Sequence, residues 1–507
     1  MKKWLLLLCT VTCLWACGGE DDGKGSTNVY IINIYNMSYN VDEEAYNKLE
    51  AYLDYLKTYY SNEDNSEEII RNLEQLLGEG MNDLLKDDEN VITVSDIEVV
   101  IDDIKKQEND IIPNVPTLDE VGKAPLTILA YLVANNNLDD DLLANIGTMY
   151  DGLATMDKAA TLLVYWDGKT TIGANKSSHL ILKYETDGKG NINGVPALNE
   201  EALLDDVLEV GKVMKEYTTQ LSTDKQVMSK VLKDMVGMTS STRIGLVTGS
   251  HASSWLNSIY LSRSRAFGQD GSGTDNTMLI SDMVEAMKSV GKRFDFVLFD
   301  ACFMGTAEVA YAFRDVADYQ ISSVMEVPAY GFPYDVFMDD LYKGTVEGYK
   351  EVCQAYIDFY SERYKAGNQA WATISLMKSA EIQGLINQVK AEIVEHKEVV
   401  ADYDVKQLQE YGRSGGPDIA YDLEQFMKDL NDDVVPSAFK TQLDKAVLYK
   451  GCLETARPSS YKVDAANYCG LGIYIPIASR SKWNDYFKTI DWYKVSGWSD
   501  VTFSWDF

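Results

Sequence analysis

The sequence predicts an α/β protein with a largely parallel central sheet, preceded by a small helical module. From about Leu126 onward, short apolar runs alternate with segments whose apolar residues recur at helical spacing. Most of these runs are almost continuously apolar, which is typical of strands buried on both faces of a parallel sheet. Between the apolar N-terminus and Leu126 the chain is mostly acidic and helical in pattern, so this part is predicted to form a separate unit.

Length and charge limit the classes of function. The 507 residues exceed what one compact core usually holds, so we expect two to three domains, or one large domain with an appendage. The composition, 46% hydrophobic and 11% aromatic, is that of a globular protein. A net charge of −33 argues against a nucleic-acid partner, because binding phosphates requires a basic surface.

Residues 1–17 are predicted to be a lipoprotein signal peptide. A basic start, Met1-Lys2-Lys3, is followed by an apolar run that is too short to span a bilayer. The run ends in "LWAC", which resembles a bacterial lipobox and makes Cys17 the expected lipidation site. The acidic stretch after it resembles the export signal of surface lipoproteins. We therefore expect a surface-exposed outer-membrane lipoprotein of the bacterial cell envelope, whose N-terminal lipid anchor is its only membrane contact.

Two further segments precede the main domain. Residues 18–41 are predicted to be a tether with a short strand-like stretch, "VYIINIY". Residues 42–112 are predicted to be an acidic helical module, because apolar residues recur at helical spacing in three stretches. This module carries no catalytic signature, and a pro-segment, a spacer and a docking domain all remain open. The proline-containing break that follows sets the main domain at 120–507.

The elements of the main domain follow from its apolar runs. Five buried strands are predicted, in order, at 126–134, 160–167, 179–185, 243–250 and 294–300. Helices are predicted over about 223–237, 278–290 and 305–315. Farther along, "YQISSVM", "WATISLM" and "CGLGIYIPI" are predicted strands that widen the sheet, and helices between them cover it.

A histidine and a cysteine directly follow two of these strands. His251 follows 243–250, and Cys302 follows 294–300. Right-handed crossovers place successive parallel strands side by side, and sites gather at their carboxyl ends. The pair can then hold a thiolate and an imidazole against one carbonyl carbon. The other histidines lack such a setting, because His179 begins an apolar strand and His396 lies within a charged helix.

This arrangement suggests covalent catalysis. The helix after Cys302 is expected to direct its N-terminus at the sulfur and lower the pKa of the thiol. His251 is expected to act as general acid and base. The backbone N–H groups of Ala252 and Cys302 are the candidate oxyanion hole. The alternatives are that Cys302 is a buried structural residue and that Asp300 caps the next helix.

Several motifs together resemble those of the clostripain-like cysteine peptidases. In order, they are "VANNNLDDDL", "GSHASSW", "FDFVLFDACFMGTAEVAYAFRDVADY", "PYD", "IAYDLEQF" and "GLGIYIP", spread over about 124–507. The order of His251 and Cys302, fifty-one positions apart, also resembles that of caspases. The resemblance implies a caspase-like α/β sandwich, a polypeptide substrate and a His251–Cys302 dyad. It also implies that Asp300 forms the floor of an S1 pocket that selects Arg or Lys at P1.

The chain departs from this family pattern at two places. The usual His-Gly is His251-Ala252 here, and the second acid of the S1 pocket is replaced by Tyr330. A guanidinium in a closed pocket needs a carboxylate partner, so strict Arg or Lys specificity is not expected. Asp335 and Glu326 are the candidates to replace the missing acid. The rival interpretation is a catalytically inactive lipoprotein that keeps the peptidase fold as a binding or adhesion module.

The remaining predictions concern processing, cofactors and thiols. Arg263 and Arg265 are possible processing sites, because family members are commonly cut between the His and Cys strands; an ordinary exposed loop is the alternative. No cofactor is expected: no CxxC spacing suggests zinc, and the acids of "NNNLDDDL" lack the alternating spacing of calcium ligands. Cys452 and Cys469 could form a disulfide or remain free thiols.

Overall fold

The computed structural model describes most of residues 29–505. The gaps are 36, 43–44, several positions between 47 and 65, 86–90, 107–114, 116, 118–124, 199–202, 257–266, 272–275 and 413–418. Cys17, Arg263 and Arg265 lie outside the described residues, so the lipidation and processing predictions stay predictions. The chain forms two compact units, residues 1–125 with 240–242 and residues 126–239 with 243–507.

The smaller unit contains a β-hairpin and helices. Its described elements are β1 (Val29–Ile34), β2 (Met37–Asp42), α1 (Ser66–Leu84) and α2 (Val94–Lys105). The two strands pair antiparallel, and alternate residues such as Ile32 and Tyr39 join a core with Leu73 of α1. Residues of the hairpin therefore share a core with the helices of the predicted module. The reason is that the period-2 alternation of the hairpin buries one of its faces.

The strands of the larger unit are β3 (Leu126–Val133), β4 (Ala159–Ile172), β5 (Ser177–Asp187), β6 (Asn191–Ile192), β7 (Val195–Pro196), β8 (Lys212–Glu216), β9 (Arg243–Gly249), β10 (Phe294–Asp300), β11 (Ala317–Ser322), β12 (Thr373–Lys378), β13 (Glu410–Tyr411), β14 (Ala420–Asp422), β15 (Val447–Cys452) and β16 (Gly472–Ile473). Every strand predicted for this unit up to residue 378 is present, whereas β6, β7 and β8 were not predicted.

The helices alternate with these strands. They are α3 (Asp139–Ala154), α4 (Leu204–Val210), α5 (Lys225–Val236), α6 (Ile280–Lys288), α7 (Ala307–Phe313), α8 (Tyr334–Lys343), α9 (Val346–Lys365), α10 (Ser379–Glu395), α11 (Lys397–Val400), α12 (Leu423–Leu430), α13 (Ser437–Ala446), α14 (Ser481–Phe487) and α15 (Asp491–Val495).

One long sheet crosses the larger unit. Its strand order is β15-β12-β11-β10-β9-β3-β4-β5-β6-β7, with β8 pairing to β5. The central strands β11, β10, β9, β3 and β4 are parallel, and the strands on either side of them are antiparallel. Along β3, Leu129 and Tyr131 join one apolar core, whereas Ile128 and Ala130 join another. The sheet therefore has helices on both faces, as the sequence predicted.

Two expectations for the C-terminal half are wrong. The stretch "CGLGIYIPI" does not widen the central sheet, because only Gly472–Ile473 is a strand and it pairs with β14 in a separate three-stranded sheet. Gly470, two positions before this strand, has a positive φ of 91°, which turns the chain away from an extended run. His396 does not lie within a charged helix, because it caps the C-terminal end of α10, half-buried, with Nε2 3.3 Å from Asn431 Oδ1.

Candidate active site

The sheet brings the predicted histidine and cysteine to the same edge. Strands β9 and β10 are adjacent and parallel, and Gly249 is level with Asp300 in their register. His251 and Cys302 each lie two positions beyond this matched pair, so they leave the sheet at the same level. The backbone N–H of Ser250 donates to the carbonyl oxygen of Asp300 at 3.4 Å, which extends the pairing to the site.

The imidazole of His251 contacts a residue that follows a third strand, β3. Its Nε2 lies 2.9 Å from Oδ1 of Asn137, which follows β3, the other neighbour of β9. An amide oxygen only accepts hydrogen bonds, so in this pairing Nε2 carries the proton. Nδ1 is then the nitrogen that can take a proton from a thiol.

The loop after His251 is fixed by two contacts. The carbonyl oxygen of His251 accepts from the N–H of Gly268 at 2.8 Å, and this hydrogen bond does not involve the N–H of Ala252. Farther along, the Ser254 hydroxyl lies 2.7 Å from the hydroxyl of Thr306 in a buried contact. Ser254 has a φ of 58°, a conformation that favours glycine. The loop that carries the histidine is thus attached to the loop that carries the cysteine.

Cys302 lies in a tight turn after β10. Its thiol is half-buried, with Sγ 3.9 Å from the carbonyl oxygen of Val327. The next residue, Phe303, has a φ of 62°, and its N–H donates to Met325 O at 2.9 Å. At Gly305 a Cβ would lie 2.7 Å from the backbone nitrogen of Val324, so only glycine fits there. The turn is therefore held against the segment that follows β11.

The helix after this turn differs from the prediction. It begins at Ala307, with Thr306 at its N-cap position, and spans only seven residues. Because the left-handed turn at Phe303 separates Cys302 from the helix, the expected effect of the helix dipole on the thiol is not supported. The alternative role of Asp300 as the cap of this helix is wrong for the same reason.

Asp300 lies buried beneath the segment that precedes α8. Its Oδ2 accepts from the amide of Asn145 at 3.1 Å, the backbone N–H of Phe332 at 3.4 Å and the hydroxyl of Tyr334 at 3.0 Å. Burial raises the pKa of this carboxyl to about 6, against the opposing effect of the Tyr334 hydrogen bond. Gly331 covers it so closely that a Cβ there would lie 2.8 Å from Oδ2.

Tyr330, at the position of the missing acid, is 40% exposed. Its ring lies 5.0 Å from that of Phe359, and the guanidinium of Arg363 lies 4.8 Å from its centre. Of the two candidates to replace the acid, Glu326 accepts from the Tyr461 hydroxyl at 2.5 Å and so is already engaged elsewhere. The other, Asp335, is exposed in the first turn of α8.

The remaining polar groups near this edge pair within the protein. Asp139, the first acid of "DDDL", accepts from Lys169 N at 2.5 Å and from the Thr170 hydroxyl at 2.7 Å. Nε2 of His179 lies 3.2 Å from the buried carboxylate of Asp167. Burial, followed by the nearby charge of Asp270, raises the pKa of Asp167 to about 8. Within the described ranges, no group of three or more His, Cys, Asp or Glu residues could hold a metal ion.

Two further expectations can be compared with the structure. The described cysteines Cys302, Cys353, Cys452 and Cys469 are free thiols, so the Cys452–Cys469 disulfide is not formed. Across the part of the chain that the structure describes, no helix is both long and apolar enough to cross a membrane.

Sequence reasoning missed three contributors to this region. Asn137 lies in "VANNNLDDDL", which the resemblance included, but nothing in that stretch marks which asparagine meets His251. Tyr334 lies in "PYD", and its contact with Asp300 depends on where α8 begins. Arg363 lies in the last turn of α9 among other charged residues, so the sequence gives no signal that sets it apart.

Comparison with known proteins identifies relatives of the larger unit. The model of the clostripain family, peptidase family C11, matches residues 130–505. Clostripain from Hathewaya histolytica is 26% identical over 241 residues, which cover 43% of this chain and 42% of that protein. The chain thus matches less than half the length of this relative.

Two solved structures share the fold. One is an inactive zymogen of a C11 protease from Parabacteroides distasonis, with a TM-score of 0.59 and 26% identity, covering 74% of this chain and 98% of that one. The other is a secreted C11 cysteine protease from Bacteroides thetaiotaomicron bound to an irreversible peptide inhibitor, with a TM-score of 0.58 and 25% identity over 74% and 100% of the two chains. The predicted caspase-like sandwich is confirmed. The chain belongs to the clostripain family.

Proposed function

We propose that this chain is a cysteine endopeptidase in which Cys302 is the nucleophile and His251 the general acid and base. The proposal is carried by one observation: these two residues follow adjacent parallel strands and lie at the same level of the sheet. The hydrogen bond between His251 Nε2 and Asn137 supports it, because it makes Nδ1 the basic nitrogen. Asn137 is then a positioning residue.

The reaction follows from these groups. The Cys302 thiol passes its proton to Nδ1 of His251, and the thiolate attacks the carbonyl carbon of the peptide bond. The N–H groups of Ala252 and Cys302 bind the oxygen that becomes negative. His251 then gives its proton to the leaving amine, and an acyl-enzyme forms. Finally His251 removes a proton from water, which hydrolyses the thioester and restores the thiol.

Asp300 and Tyr330 are proposed to line the S1 pocket. Asp300 lies two residues before the nucleophile and its carboxylate already accepts three hydrogen bonds. Tyr330 offers a ring and a hydroxyl where a second carboxylate would bind a cationic P1 side chain. We therefore propose that P1 preference is not restricted to Arg and Lys.

We also propose that the protein is anchored by lipid and lies outside the cytoplasm. The lipobox-like "LWAC" supports a lipid anchor on Cys17 and a surface-exposed outer-membrane location. One structural neighbour is described as secreted and another as a zymogen. These descriptions support an extracytoplasmic location and activation by cleavage at Arg263 or Arg265. Calcium, which is not supported by the spacing of the acids, remains testable by adding a chelator to the assay.

Thiol labelling tests the dyad directly. A peptidyl electrophile with an uncharged P1 residue should label the wild type at Cys302 and leave Cys302→Ala unlabelled, as read by peptide mass spectrometry. Cys452→Ala is the matched control, because Cys452 is also a half-buried free thiol and its loss should not change labelling. Proteolysis of a denatured protein substrate should be lost only in the Cys302 variant.

The rival function is a catalytically inactive binding or adhesion lipoprotein. Tyr330 in place of an acid and Ala252 in place of glycine are the observations that favour it. It predicts that no electrophile labels Cys302 and that Cys302→Ala leaves proteolysis unchanged. Mass spectrometry of the active protein also tests processing, since an intact chain that cleaves substrate contradicts a required cut.

A further inference from the structure

Arg363 is a cation with an unusual setting for so acidic a chain. Three other arginines of the larger unit pair with aspartates: Arg243 with Asp295, Arg293 with Asp318 and Arg314 with Asp315. Arg363, in contrast, has no ion pair with any residue that the structure describes.

The contacts of Arg363 are aromatic. Its guanidinium lies 4.8 Å from the ring centre of Tyr330 and 5.5 Å from that of Phe359. Its Nε is buried without a hydrogen-bond acceptor among the described residues. A guanidinium that is partly removed from water and lacks an anion gains free energy when one binds.

The position of Arg363 connects it to the proposed S1 pocket. Tyr360, one helical turn earlier on α9, donates from its hydroxyl to Gly331 O at 2.6 Å. Gly331 covers the carboxylate of Asp300. The residue before it, Tyr330, packs its ring against the guanidinium of Arg363. Arg363 therefore lies in the same wall as Asp300, on the side where the family pattern has an acid.

A second arginine lies at the same end of α9. The guanidinium of Arg457 donates to the carbonyl oxygen of Tyr364 at 2.6 Å and to that of Asn368 at 3.4 Å. It has no carboxylate partner among the described residues. This end of the wall thus carries two arginines without acidic partners, in a chain of net charge −33.

We propose that Arg363 determines specificity and that the enzyme prefers peptides with an acidic side chain, Asp or Glu, at P1. This inference rests on the proposed peptidase function. A P1 carboxylate can pair with the guanidinium, with the Tyr330 hydroxyl as a further donor. A P1 Arg or Lys would instead bring a second cation toward Arg363, and like charges repel. Asp300 is buried beneath Gly331 and accepts three hydrogen bonds, so a P1 carboxylate would meet the guanidinium of Arg363 beside the exposed Tyr330 rather than the carboxylate of Asp300.

The test uses fluorogenic peptides that differ only at P1. Glu and Gln form the main pair, because they have nearly the same shape and differ in charge; Asp, Ala, Lys and Arg complete the series. We expect kcat/KM of the full-length wild type to be roughly tenfold or more higher for Glu than for Gln, as for a hydrogen-bonded charge pair. Lys and Arg should give the lowest values.

Variants then locate the effect. Arg363→Gln should reduce the Glu-to-Gln ratio of kcat/KM to about one, mainly by lowering the value for Glu, and Arg363→Lys should retain part of the preference. Arg314→Gln is the matched control, since Arg314 also stacks on a tyrosine, 3.7 Å from the ring centre of Tyr311, and should leave the ratio unchanged.

The outcomes separate the two proposals. A wild type that prefers Lys or Arg, or an Arg363→Gln variant that changes all P1 peptides by one factor, overturns the role of Arg363 while leaving the dyad intact. If no peptide is cleaved and a neutral electrophile fails to label Cys302, both proposals are wrong. If the electrophile labels Cys302 and neutral peptides are cleaved without preference for Glu, only the specificity proposal is wrong.

Discussion

The two sides of Cys302 are built in different ways. On one side, the register of β9 and β10 and the adjacent end of β3 place His251, Asn137 and Cys302, so the backbone of the sheet positions the proposed catalytic groups. On the other side, the wall around Asp300 is assembled from side chains of loops and of α8 and α9. Substitutions in these side chains can change the charge and polarity of the wall without moving the strands. The difference suggests that the reaction and its specificity can vary separately.

Asn137→Ala is expected to have the largest effect on activity, and it changes the side of Cys302 that the sheet backbone positions. Without the amide oxygen, Nε2 of His251 loses the partner that fixes its tautomer, so kcat should fall roughly 100-fold while KM changes little. Steady-state kinetics with a neutral P1 peptide measure this. Asn137→Asp is the informative companion, because it keeps an acceptor and should restore much of kcat. Equal losses of kcat in both variants would argue that Asn137 acts only through folding.

Asp300→Asn should separate stability from specificity in the wall. The folded pKa of about 6 is above the ordinary 3.8, so the ionised carboxyl is disfavoured by folding. This penalty is absent below pH 4, grows as pH rises to about 6 and is complete above it. The variant should therefore be more stable than wild type at pH 8, by roughly 3 kcal/mol, and close to wild type at pH 4, as measured by chemical denaturation. Its P1 selectivity should change.

Glu308→Gln is the matched control for that experiment. Glu308 lies buried in α7, accepts from the Tyr474 N–H at 2.8 Å, and its Oε2 has no partner among the described residues. Burial raises its pKa to about 7, so its removal should also increase stability at pH 8. Because Glu308 does not belong to the wall, P1 selectivity should stay as in wild type. A change in selectivity here would show that the pH effect is not specific to Asp300.

Tyr330→Asp tests how readily the wall changes its chemistry. The new carboxylate would lie next to Asp300 and within reach of Arg363, which it should neutralise. We expect kcat/KM for a Lys P1 peptide to rise roughly tenfold, and the double variant with Arg363→Gln to rise further. Tyr330→Phe, which keeps the ring without the hydroxyl, controls for packing. A Lys preference that is already high in wild type would contradict the premise.

Ser254→Gly is expected to have the smallest effect. The substitution relieves the positive φ but removes the hydroxyl contact with Thr306. These contributions oppose each other, so the free energy of unfolding should change by less than about 1 kcal/mol. Thr306→Val, which removes only the contact, should destabilise more. Thermal melts of both variants measure the difference, and equal melting temperatures would show that the contact contributes nothing.

The sequence alone predicted β9 and β10, the strands next to the site, and the two residues that follow them, His251 and Cys302. This was possible because buried parallel strands are continuous apolar runs and their ends are sharp. It could not provide the contact between His251 and Asn137, which requires β3 to lie beside β9 despite the long separation in sequence. It also carried no signal for the left-handed turn at Phe303, which separates Cys302 from the helix that follows. The face of α9 that carries Arg363 depends on tertiary packing and was missed for that reason.

The strand order has a consequence for the proposed cut between His251 and Cys302. Strands β3, β4, β5 and β9 precede the segment with Arg263 and Arg265, whereas β10, β11, β12 and β15 follow it, and β9 and β10 are neighbours. A cut in that segment would yield a heterodimer whose two polypeptides share one hydrogen-bonded sheet. The fragments would co-elute in gel filtration and separate only in denaturant. Neither fragment could refold alone without an unpaired, apolar sheet edge, so the mature enzyme would depend on a single folding event before the cut.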